Sequence, residues 1–88
     1  MNWATGLQRM LDQALEKNVP AMMRVEARRS FIEEAERHAT VRGAATVSEE
    51  DLMYVAYQVT PPDRIDVMER TYRELGINVD AYKPKAGA

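Results

Sequence analysis

Apolar positions in this chain recur every three to four residues, as on one face of a helix, and the alternation that marks a half-buried strand is absent. Four helices are predicted. The first covers residues 3–17, where Trp3, Leu7, Met10, Leu11, Ala14 and Leu15 form one stripe. Asn18 and Pro20 end it, because proline restricts the residue before it and has no N–H to continue the ladder. The second helix opens at Pro20 and runs to Thr40, with Gly43 marking its exit. Ala21, Ile32, Ala35 and Ala39 share one side, flanked by Val25 and Phe31. Arg29, Glu33 and Arg37 fall opposite, spaced for two (i, i+4) ion pairs.

The stretch "TVSEEDL" predicts the start of the third helix. Ser48 is placed to cap it, and Asp51, three residues on, to complete a capping box. Val47 and Leu52 suit a hydrophobic staple across that cap. Glu49, Glu50 and Asp51 put negative charge where the helix dipole favours it. Leu52, Val55, Ala56 and Val59 are expected to face inward. The fourth helix opens at "TPPD", with Thr60 as its cap, and carries Ile65, Met68, Tyr72 and Leu75 as its stripe. Gly76 can take the left-handed conformation that ends it, letting Ile77 fold back. Residues 78–88 have no period and are expected to form a flexible tail. The reading is therefore an all-α domain over residues 1–77, a small bundle of three to four short helices.

Composition narrows the chemistry. With 88 residues there is room for one small domain, whose modest core invites support from a partner or from self-association. There is no cysteine, which excludes disulfides, thiolate metal sites and a cysteine nucleophile, and which suits a cytoplasmic setting. The net charge of −2 lacks the basic excess of a nucleic-acid binder. Arg9, Asp12, Glu16 and Lys17 interrupt the first segment, so neither a signal peptide nor a membrane span is expected there.

The single histidine, His38, has only Glu34 one turn away, too little for a metal site, and reads as a solvent-edge residue. Ser30 and Ser48 have no local base, and no phosphate-cradling glycine loop occurs. No catalytic residue, cofactor or metal is assigned, and an enzyme working alone is not expected. In "MMRVEARR", Arg24 and Arg28 stack on one helix face near the apolar stripe. Such arginines reach past the core along their stems, pair with Glu16, Glu49, Glu50 or Asp51, or read the carboxylate of a partner. Arg28, central in the stripe, is expected to be structural, with Pro20, Ser48 and Asp51. Arg24, Met22 and Trp3 are the candidates for partner contact, while Met10 and Met23 are expected in the core.

These residues resemble a known pattern. An early Trp3 and Leu15, the Val19-Pro20 step, Arg24, the Arg28-Arg29 pair, Glu34-Ala35 and the capped helix from Thr46 or Ser48 to Leu52 are similar to the PCP reductase family. This is the small helical domain at the C-terminus of the light-independent protochlorophyllide reductase B subunit, found also as short stand-alone proteins. The resemblance covers residues 3–59. The family places an aromatic residue after the proline, where this chain has Ala21-Met22-Met23.

The resemblance implies a setting of chlorophyll biosynthesis and photosynthesis. It also implies an accessory or docking module for a larger nitrogenase-like or tetrapyrrole-related enzyme, or for itself, rather than reductase activity. Two alternatives are a small nucleic-acid-binding helical protein and a tetrapyrrole-binding domain that uses Arg24 and Arg28. The acidic openings of the third and fourth helices disfavour the former.

Overall fold

Glycine and proline positions set the boundaries of the elements seen in a computed structural model, which describes residues 1–84. Four helices make an all-α bundle: α1 (Leu7–Asn18), α2 (Arg24–Val41), α3 (Glu49–Val59) and α4 (Ile65–Glu74). Two short strands, β1 (Asn2–Trp3) and β2 (Thr46–Val47), pair in parallel with Trp3 opposite Val47. Short 3-10 turns at Ala21–Met23, Pro62–Arg64 and Val79–Ala81 complete the elements of the described residues. No helix among the described residues is long and apolar enough to cross a membrane.

α2 is the central element and packs on both α1 and α3, while α1 also packs on α4. Phe31, Ala35 and Ala39 are its buried face. The two alanines have no exposed surface, so their small side chains let α2 approach its neighbours closely. Around them Leu11, Leu52, Met53 and Val55 fill the core. Burying an aliphatic side chain of this size contributes about 1.5–3 kcal/mol. Two helix ends use the same device. Gly43 and Gly76 have φ of 82° and 105°, and the next residue donates back into the helix, Ala44 N–H to the Ala39 carbonyl and Ile77 N–H to that of Tyr72.

Several expectations are corrected. Trp3 belongs to β1, not to the first helix, because Gly6 at φ 80° breaks the chain's entry into α1. Pro20 precedes a 3-10 turn, and α2 proper begins at Arg24. Ala21, Met23 and Val59 are exposed rather than inward. The surface pairs on α2 are Arg29–Glu26 and Arg37–Glu34, both (i, i+3), rather than the two (i, i+4) pairs through Glu33. Thr60 ends α3, its hydroxyl donating to the Ala56 carbonyl at 2.6 Å, instead of capping α4. The expected flexible tail is packed in its first part: Val79 has no exposed surface, and the Tyr82 hydroxyl donates to Glu49 at 3.1 Å. The rest of that tail, residues 85–88, lies outside the described residues.

Candidate interaction site

Two proline steps shape one end of the bundle. Val19 is extended ahead of Pro20, and Pro61-Pro62 ends the run from α3. The last turns of α1 and α3 and the first turns of α2 and α4 therefore splay around a half-open groove of about 380 Å³. Its floor is Leu15, Phe31, Met68 and Tyr72, all buried. Burial pushes the Tyr72 hydroxyl above its ordinary pKa. Met23 and Val59, at 57% and 58% exposure, stand on the rim. Among the described residues Arg64 is the only charged one in the lining. Concave, mainly apolar surface of this size with few polar groups is the form taken by binding sites.

Arg24 holds the turn beside this groove. Its Nε donates to the Val19 carbonyl at 2.9 Å and its Nη2 to the Glu16 carbonyl at 3.0 Å. These are carbonyls that the end of α1 leaves without a helical partner. Arg24 thus fixes the turn that carries Met22 and Met23. Met22 is 90% exposed, the extreme among the exposed large hydrophobic residues. Arg28 pairs with Asp12, Nε to Oδ1 at 2.6 Å, and not with any of the four acids expected for it. Both side chains are almost half exposed, so the pair is a surface contact and not a buried one. Trp3 is half-buried, with its indole N–H donating to Glu36 at 2.9 Å, which straps the N-terminal strand to α2.

A second constellation joins α2 to α3 through Asp51. The capping box forms, with the Ser48 backbone N–H donating to Asp51 Oδ2 at 2.9 Å. Asp51 also accepts from Arg42, Nε to Oδ1 at 2.8 Å and Nη2 to Oδ2 at 2.7 Å. His38 Nδ1 lies 2.6 Å from Oδ1, and the imidazole stacks on Tyr54 with centroids 4.0 Å apart. His38 is therefore tied to the core polar network and is not a free solvent-edge residue. Burial pushes Asp51 up, but the bonds from Arg42, the Ser48 backbone and His38 outweigh it and hold the carboxyl well below its ordinary range. An ionised carboxylate only accepts, so Nδ1 is the donor in this contact.

Asp51 has spent its lone pairs inside the fold, and Arg42 is further held by Glu50 at 3.0 Å. This constellation is a brace between helices. Among the described residues no group of three or more His, Asp or Glu side chains is placed to hold a metal ion. No buried side-chain polar atom there lacks a partner.

The structure separates the sequence-predicted residues. Met22 and Arg24 share the turn at the groove, with Pro20 just before it, while Trp3 stands at the β1 strap and Arg28 on the α1–α2 surface. Sequence reasoning missed Arg42 and Arg64. A basic residue in the last turn before Gly43, facing an acidic helix start, was a signal for Arg42. Arg64 carries no such local mark. No family model, curated protein or solved structure matches this chain.

Proposed function

We propose that this domain is a non-catalytic docking module whose contact surface is the groove between the four helix ends. The observation that supports it is the combination of an open apolar groove with exposed Met23 and Val59 on its rim and Met22 beside them. An apolar surface of this kind, bordered by polar residues, is characteristic of an interaction site, and methionine adapts to the shape of what it meets. The partner class comes from the resemblance to the PCP reductase family: a larger redox or tetrapyrrole-related enzyme. A phosphate backbone suits a chain of net charge −2 poorly, and among the described residues the groove offers it a single cation, Arg64. Arg24 and Arg28 are engaged by Val19, Glu16 and Asp12, which leaves little for a tetrapyrrole carboxylate.

The test is affinity capture from the native host with the parent and with Val59→Asp. A partner recovered with the parent and lost with the variant, at equal thermal midpoints, supports docking through the groove. A partner retained by the variant places the contact elsewhere.

A further inference from the structure

We propose that in the isolated protein the groove is covered by a second copy of the same chain, packed face to face about a two-fold axis. The proposal rests on the docking reading and adds the identity of one occupant. Two observations carry it.

The first is that plug and socket lie together. The turn bearing Met22 and Met23 borders the groove, and Met23 is part of its lining. A two-fold axis brings the same patch of both copies together, so a turn from each can enter the groove of the other. Met22 is 90% exposed and unbranched, which suits it to fill an irregular apolar space.

The second is charge. Asp63 and Arg64 are adjacent in the 3-10 turn that opens α4. Among the described residues neither has an opposite charge within 4.0 Å, although nine other such pairs form. Arg64 lies in the groove lining and Asp63 precedes it in the same turn, and opposite charges so close in the chain can be self-complementary under a two-fold axis: Asp63 of each copy meets Arg64 of the other. A partner with only acidic or only basic groups would leave one of the two repelled. A specific interface needs about 800 Å² from each side, roughly a seventh of the 5843 Å² surface, so one face of the bundle is enough.

The experiment is sedimentation equilibrium of the full chain from micromolar to millimolar concentration, with circular dichroism on every variant. The parent is expected to dimerise. Met22→Asp and Val59→Asp are expected to leave folded monomers. Arg64→Glu faces two acids against two acids and is expected to weaken the dimer at least about tenfold, since two exposed pairs are lost and replaced by repulsion. Asp63→Arg combined with Arg64→Glu exchanges the charges and is expected to recover most of that loss.

A parent that stays monomeric at millimolar concentration overturns the proposal. So does a dimer indifferent to both Asp substitutions, or a double variant no tighter than Arg64→Glu alone. A monomeric parent that still captures a partner through Val59 overturns self-association and leaves docking standing.

Discussion

Asp51, without exposed surface at the first turn of α3, accepts two parallel hydrogen bonds from Arg42, at 2.8 and 2.7 Å. The fork of the guanidinium matches the two carboxylate oxygens, so the contact fixes the end of α2 against the start of α3 in both distance and angle. The same oxygens serve the cap of α3, which makes one side chain both a local helix start and a long-range tie.

Asp51→Asn is expected to destabilise the domain by about 1.5–3 kcal/mol, because it weakens hydrogen bonds made to a charged group. Arg42→Gln is expected to cost more than Arg28→Gln, since it leaves the Asp51 carboxylate buried with fewer donors. Arg28 and Asp12 are both close to half exposed, and their pair is worth less than about 1 kcal/mol. Urea midpoints of the three variants check the order, and an Arg28 variant as unstable as Arg42→Gln would contradict it.

Acid should weaken the fold through the same residue. The carboxyl of Asp51 is held below its ordinary value of 3.8 in the folded chain, so below that pH the unfolded chain binds the extra proton. The stability it contributes is present above about pH 4 and is lost as the pH falls further. The measurement is unfolding free energy from pH 7 down to pH 2. Asp51→Asn should flatten the acid limb, and an unchanged slope in that variant would assign the loss to other groups.

Truncation after Ile77 tests the packing of Val79 and Tyr82. It removes Val79, which has no exposed surface, and the bond from Tyr82 to Glu49. Losing the buried valine alone is expected to cost about 1.5–3 kcal/mol. A truncated chain that melts with the parent would mean that this packing contributes nothing to the fold.

Gly76→Ala isolates backbone strain from crowding. A Cβ at Gly76 would meet nothing within 4 Å, yet its φ of 105° is one that side-chain-bearing residues rarely adopt. The expected loss is about 1–2 kcal/mol, entirely conformational. Thermal unfolding of this variant beside a surface alanine control on α4 provides the check, and equal midpoints would refute the strain.

The sequence by itself determined the features that depend on neighbours a few positions apart. Ser48 and Asp51 form their cap because N-cap and N3 lie one turn from each other on any helix. Gly43 and Gly76 end α2 and α4 because a left-handed residue is a local requirement. The four helices follow from apolar spacing in the same way, although Trp3 escaped because a two-residue strand is too short to show a period.

Tertiary structure decided everything that needed a partner distant along the chain. Asp51 was legible as a cap, but its burial and its hold on Arg42 and His38 depend on how α2 lies over α3. Arg24 was placed on a helix face, yet its role is set by the carbonyls at the end of α1. Arg28 looked central in an apolar stripe, but the offset of α1 left it beside Asp12 at the surface. The groove belongs to no segment: four helix ends enclose it, so its shape, its exposed rim at Met23 and Val59 and the isolation of Arg64 exist only once the helices have packed.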